Sequence, residues 1–117
     1  RLIILGGELR ATSKAIVGPL TSLLLDEIHV DRALMGTFAL SLEDGLTTTD
    51  PSEAYTKQLV MRRAREVILL ADSTKMGMHS FVGAGSLDDV DILVTDRGID
   101  DRLARTLKRR GVRVVTA

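Results

Sequence analysis

Asp50-Pro51-Ser52-Glu53 and, one helix length further on, Val67-Ile68-Leu69-Leu70-Ala71-Asp72-Ser73-Thr74-Lys75 decide the fold class of this chain. Asp50 is an N-cap residue, Pro51 fits the first helical position, and Glu53 completes a capping box, so a helix starts here. Its pattern predicts a run to about Glu66 with Ala54, Leu59, Val60 and Ala64 turned inward. Residues 67–71 are apolar on both faces, as a central parallel strand must be when helices or other layers cover it. A helix feeding such a strand, which then ends in Asp-Ser-Thr-Lys, is half of an α/β unit with a polar group at the carboxyl edge of the sheet.

The same alternation extends outward from that unit. Residues 2–5 are a short apolar run stopped by Gly6-Gly7 and predict a buried strand. Residues 15–28 predict a helix with Leu20, Leu23, Leu24 and Ile28 on one face, and residues 30–35 a strand closed by Gly36. Residues 41–49 predict a loop rich in hydroxyls and turn formers, and a Gly-punctuated stretch runs from Asp72-Ser73-Thr74-Lys75 through Ser86. Residues 91–95 predict a strand, residues 100–110 a helix with acids first and Lys108-Arg109-Arg110 last, and residues 112–115 a final strand after Gly111. The expected fold class is therefore α/β, a mostly parallel sheet with flanking helices in one domain over residues 1–117.

Composition narrows the function. The chain has 117 residues, 16 Lys plus Arg against 16 Asp plus Glu, no Cys and 3% aromatics. Zero net charge and the lack of aromatic residues among the arginines argue against nucleic-acid binding by this chain. Without Cys there is no disulfide, thiolate metal site or thiol nucleophile. His29 and His79 lack metal-ligand spacing, so no metal and no cofactor is expected. No apolar run approaches a membrane span and no targeting signal is recognisable, giving the expectation of a soluble cytoplasmic protein. The chain opens at Arg1 directly in an apolar run, which reads as the interior of a larger protein.

In open α/β sheets ligands bind beyond the carboxyl ends of the strands. The residues there are Gly6-Gly7, where backbone can approach a ligand closely; Asp31, a carboxylate inside an apolar strand; Gly36; the run Asp72-Ser73-Thr74-Lys75; and Asp96-Arg97-Gly98. Lys75 could neutralise a phosphate or carboxylate, and Asp31 inside a strand needs hydrogen-bond partners or faces a site. Glu43 and Asp44 form a carboxylate pair on a loop. Classical nucleotide loops and serine-nucleophile elbows are missing.

These residues carry a resemblance. Leu5-Gly6-Gly7-Glu8-Leu9-Arg10 with Ser13 and Val17-Gly18-Pro19, then Val30-Asp31-Arg32-Ala33-Leu34-Met35-Gly36, then Asp44-Gly45-Leu46-Thr47-Thr48, then Leu70-Ala71-Asp72-Ser73-Thr74-Lys75-Met76-Gly77, then Asp91-Ile92-Leu93-Val94-Thr95-Asp96 resemble, in order, the segments of DeoR-type bacterial transcriptional regulators. Leu34 and Met76 stand where that family usually has Phe. The resemblance implies the C-terminal effector-sensing domain of such a repressor, with a ribose-5-phosphate isomerase and CoA-transferase type of fold. It implies a phosphorylated sugar or related metabolite as effector, a homo-oligomer, and DNA contact only through an N-terminal domain outside this sequence. In family sensor domains an upstream strand and Gly-Thr-Thr loop also contact the phosphate, so an incomplete domain is expected here.

Carried over by motif, Asp31, Gly36, Gly45, Leu46, Thr47 and Lys75 would line the pocket, Gly6 and Gly7 would shape it, and Glu53 and Lys57 would point into it. Lys75 would serve the phosphate and Asp31 the sugar hydroxyls. Two other readings remain at this point. One is an isomerase-like enzyme, for which Glu43, Asp44 and Glu53 are the candidate bases. The other is an oligomerisation module.

Overall fold

A computed structural model describes all residues 1–117. In chain order the elements are β1 (Glu8–Arg10), β2 (Ala15–Val17), α1 (Pro19–Asp26), β3 (Val30–Gly36), β4 (Ala39–Ser41), β5 (Gly45–Thr48), α2 (Pro51–Arg63), β6 (Ala64–Leu70), β7 (Val82–Gly85), β8 (Ile92–Thr95), α3 (Asp101–Arg109) and β9 (Arg113–Thr116). A four-stranded parallel sheet of order β3-β6-β8-β9 forms the centre. The fold class is α/β, as the alternation of strand and helix patterns predicts.

The helix start at Asp50 is realised: its carboxylate accepts from the Glu53 backbone N–H at 2.9 Å, with Pro51 in the first turn. The helix stops three residues early, at Arg63, and the chain passes straight into β6. Strand pairing claims residues 64–66, since Ala64 already faces Val30 and Glu66 faces Arg32 across the β3 ladder. The α3 and β9 readings hold to within a residue, with Asp100 capping α3 by accepting from the Leu103 N–H at 3.0 Å.

Three expectations are corrected. Residues 2–5 form no strand: no partner backbone pairs with them, and Leu2, Ile3 and Ile4 are exposed. The helix expected over 15–28 covers only Pro19–Asp26, because residues 15–17 pair antiparallel with Glu8–Arg10 in a hairpin. Its Leu20, Leu23 and Leu24 face solvent, while Thr21 and Leu25 are the residues it buries. Finally, the hydroxyl-rich loop and the Gly-punctuated stretch contain a three-stranded antiparallel sheet, β4-β5-β7. Asp44-Gly45 makes its first turn, with Gly45 at a φ of 69°, a left-handed conformation that glycine adopts without steric cost. The dipeptide is a hairpin signal in its own right.

The parallel sheet has one covered face and one only partly covered. Met35, Leu69 and Leu93 sit in register on the covered face, packed with Leu40, Leu46, Met61 and Leu107 in a single core. Burying each such leucine contributes roughly 1.5–3 kcal/mol. In register on the other face lie Leu34, Ile68 and Ile92, the first of them 68% exposed. The outer edge of β3 has no neighbouring strand.

Candidate functional site

The carboxyl ends of β3 and β6 open into a cleft of about 560 Å³, walled by Gly36, Thr48, Glu53, Lys57, Lys75 and the β1 residue Arg10. Three polypeptide segments converge there, each for a local reason. Glu53 and Lys57 are one helical turn apart on α2 and therefore share a face. Lys75 ends a single 3₁₀ turn, Ser73–Lys75, separated from β6 by Ala71 and the capping Asp72. Arg10 ends β1, and the hairpin carries its side chain back to the N-terminus of α2.

The turn bearing Lys75 is firmly seated. Asp96, following β8, accepts from the Ser73 N–H at 2.7 Å, the Ser73 hydroxyl at 2.8 Å and the Gly98 N–H at 2.7 Å. These bonds, that from the Ser73 backbone foremost, hold the Asp96 carboxyl below its ordinary range. Asp72 caps the turn through the N–H and hydroxyl of Thr74, whose side-chain bond is the main cause lowering its pKa. At the other end of the turn the Gly77 N–H donates to the Leu40 carbonyl at 2.8 Å. The Lys75 side chain, half-buried, makes no hydrogen bond or ion pair.

Lys57 donates from Nζ to the Gly36 carbonyl at 2.7 Å. Burial pushes its pKa down, Glu53 pulls it back up, and the neighbouring Lys75 charge pushes it down again. Glu53 is only 7% exposed. Its Oε2 accepts from the Thr48 hydroxyl at 3.4 Å; its Oε1 is buried without a hydrogen bond. The guanidinium of Arg10 lies between Asp50, at 3.4 Å, and Glu53 Oε1, at 3.6 Å. The cleft therefore has two lysines within electrostatic reach of each other and an arginine already shared between two acids. One lysine side chain and one carboxylate oxygen in it have no hydrogen bond.

The structure gathers Gly36, Glu53, Lys57 and Lys75 and separates the other candidates from them. Asp31 lies at the start of β3, at the opposite end of the strand from Gly36, its side chain 89% exposed and 3.9 Å from Arg65. It is not the buried strand carboxylate the sequence suggests; its side chain points into solvent. Leu46 is core, and the Thr47 hydroxyl accepts from the Ser80 N–H at 2.9 Å, tying β5 to the segment before β7. Gly45 faces the turn at Gly85, where an added Cβ would sit 2.6 Å from the carbonyl oxygen. Gly6 accepts from the Thr21 hydroxyl at 2.8 Å, and a Cβ on Gly7 would meet that hydroxyl at 1.9 Å. These two glycines seat the hairpin on α1, and so position Arg10 without lining the cleft. Glu43 and Asp44 sit in the β4–β5 turn, away from it. Arg10 and Thr48 belong to the cleft but were not among the sequence candidates, although both lie inside the quoted motifs.

A larger cavity of about 690 Å³ occupies the amino-terminal end of the sheet, beside Ala64, Val67 and Asp91. Two of its polar groups are used internally: Asp91 accepts from the Val67 N–H at 2.7 Å, and Arg110 donates to the Leu42 carbonyl at 3.0 Å. Size alone therefore does not make it the stronger candidate. No group of His, Asp and Glu gathers as a metal site would require.

The profile of the DeoR C-terminal sensor domain matches residues 1–97. The chain belongs to this family. An HTH-type transcriptional regulator GlpR of Haloferax volcanii is 39% identical over 110 residues, covering 94% of this chain and 43% of the relative. The HTH-type transcriptional repressor GlcR of Bacillus subtilis is 32% identical, covering 97% and 44%. The glycerol-3-phosphate regulon repressor of Escherichia coli is 31% identical, covering 82% and 38%. The chain thus spans less than half the length of these curated relatives. Its family is one of transcriptional regulators, and no helix is long and apolar enough to cross a membrane.

Proposed function

We propose that this chain is the part of a DeoR-type repressor that senses a phosphorylated sugar or a related phosphorylated metabolite. The cleft at the carboxyl ends of β3 and β6 takes the phosphate. The observation that carries this reading is the pair Lys57 and Lys75 on the wall of one cleft: the Lys75 charge helps lower the pKa of Lys57, and the Lys75 side chain has no hydrogen bond or ion pair. A phosphate dianion placed between them replaces repulsion with charge-assisted hydrogen bonds. The capped, Asp96-anchored turn fixes Lys75 before the ligand arrives, which lowers the ordering cost of binding.

On this reading the whole protein couples the cleft to an operator-binding segment of the kind that the HTH-type names of its relatives indicate. The effector acts by binding one arrangement of the parts more tightly than the other. The protein forms a homo-oligomer and performs no chemistry on the effector.

The test is a panel of phosphorylated sugars and polyols offered to the complete chain. A ligand binding only the folded state raises the melting temperature, by ~2.7 kcal/mol of stability at a hundredfold excess over Kd. The expected outcome is a rise with one or a few of these compounds and none with their dephosphorylated forms. An indifferent panel, or measurable turnover of the compound that binds, would overturn the sensor reading.

A further inference from the structure

The two lysines account for an anion but leave Glu53 unexplained. A carboxylate is a poor neighbour for a phosphate, yet this one is buried at the wall of the cleft. Buried carboxylate oxygens almost always accept hydrogen bonds, because an unpaired one loses its hydration with no replacement. Glu53 Oε1 has none. Nη1 of Arg10 is 3.6 Å away, near enough to attract but beyond hydrogen-bond length. That guanidinium is loosely held: it is 3.4 Å from Asp50, and its one hydrogen bond, to the Ser13 hydroxyl, is 3.3 Å long.

We infer that Glu53 is the residue that makes the site select hydroxyl-bearing phosphate esters, by accepting a ligand hydroxyl on Oε1 once the ligand phosphate has drawn Arg10 away from it. This rests on the anion reading above and deepens it. The geometry supplies both halves of the exchange. Arg10 at the cleft wall can turn from two acids, with which it has no short hydrogen bond, to a phosphate, with which it can form a bidentate one. The vacated oxygen is acceptor-only, so it suits an O–H donor and repels a second anionic group. Oε2 keeps the long contact from the Thr48 hydroxyl, at 3.4 Å, so only Oε1 is exchanged. The ligand class is therefore a phosphate monoester of a polyol or sugar: inorganic phosphate lacks the carbon-borne hydroxyl, and a phosphorylated carboxylic acid brings a second anionic group against Glu53. This assigns to Glu53 the hydroxyl-recognising part that the family resemblance implies for Asp31.

The experiment measures affinities of the complete chain for inorganic phosphate, methyl phosphate, glycerol 3-phosphate and a hexose phosphate by titration calorimetry. The wild-type chain should bind at least one of the two hydroxylated esters about tenfold or more tighter than methyl phosphate. Glu53→Leu should erase that gap while leaving methyl phosphate as tight as before or tighter, and Glu53→Gln, which keeps an acceptor oxygen, should restore part of it. A wild-type chain that binds methyl phosphate as well as the hydroxylated esters overturns the inference without any variant. So does a gap that survives Glu53→Leu, or a loss that strikes all four compounds equally. If instead none of the four binds, the anion reading itself falls. Binding that depends on Lys75 and ignores Glu53 removes the selectivity role alone.

Discussion

Asp96 and Glu53 are two carboxylates serving the same end of the same sheet, and they differ in how fully their oxygens are used. Asp96 accepts three hydrogen bonds of 2.7 to 2.8 Å from Ser73 and Gly98. Glu53, much more deeply buried, accepts one side-chain bond of 3.4 Å and keeps an oxygen with none. A closed polar cluster has spent its hydrogen-bonding capacity on the fold. An open one in a buried wall keeps capacity for something that arrives. The two are mechanically joined, because the cluster that Asp96 closes is the base on which Lys75 stands.

The largest effect should come from breaking the closed cluster. Asp96→Ala removes three acceptor contacts at once and frees the turn carrying Lys75, so the melting temperature should fall further than on replacing Lys75, Lys57 or Asp31. Phosphate-ester affinity should fall with it. The carboxyl's pKa is lowered in the folded state, so its stabilising contribution is present above the ordinary carboxylate value of 3.8 and is lost as pH falls through the lower folded value. The difference in stability between wild type and Asp96→Ala should therefore narrow below about pH 4. A variant that melts with wild type would show that the cluster is ornamental and that Lys75 needs no anchor.

Lys75→Ala is the complementary case. Lacking a hydrogen bond or ion pair, Lys75 should be replaceable with a change in the stability of the free chain of less than about 0.5 kcal/mol. The stabilisation by phosphorylated ligands should nevertheless disappear. Equal losses in both measurements would mean that Lys75 belongs to the closed class.

Lys57 allows a subtler probe of the open cluster. Its pKa is lowered by burial and by Lys75, so in the window between its folded value and the ordinary 10.5 the unfolded chain binds more protons, and stability rises with pH across it. A bound phosphate raises that pKa, so binding takes up a proton there and affinity falls as pH rises through the free-cleft value. Replacing Lys57 by Arg, which keeps its charge, should move this alkaline loss of affinity to higher pH. Titration calorimetry across an alkaline pH series in two buffers of different ionisation enthalpy would show the proton uptake, and identical profiles for both chains would exclude Lys57 as its source.

Local chemistry made most of the fold legible and only part of the site. Asp50-Pro51, the apolar run after it and the graded charges of α3 act within one element, so a linear reading finds them. The strand over residues 15–17 depends on Glu8–Arg10 folding back against it, and β7 on β5; neither partner is local, and period alone reads such pieces as helix extension or loop. In the cleft, Lys75 was accessible through its position after a strand, whereas Glu53 and Lys57 entered as pocket residues only with the family resemblance. Arg10 was hidden because only the hairpin brings it across to α2. The second apolar face, with Leu34 and Leu70 exposed, shows the converse: hydrophobic sequence specifies that a surface is to be covered without saying by what.

The smallest expected effect tests the residue for which sequence and structure part most sharply. An acid inside an apolar strand implies burial or a ligand, because a carboxylate cannot be hidden without partners. The parallel strand β3 escapes that logic by leaving its first turn of alternation outside the sheet's covered region: Val30, Asp31 and Arg32 are all exposed, and burial starts at Ala33. Asp31 there faces only Arg65, 3.9 Å away with both side chains in solvent, a pair of the kind that contributes little at ordinary ionic strength. Asp31→Ala should therefore shift stability by no more than about 0.5 kcal/mol and leave every phosphate-ester affinity unchanged. A selective loss of affinity for the hydroxylated esters in this variant, with Glu53→Leu silent, would return the hydroxyl-binding role to Asp31 and require the cleft to be completed from the other end of the strand.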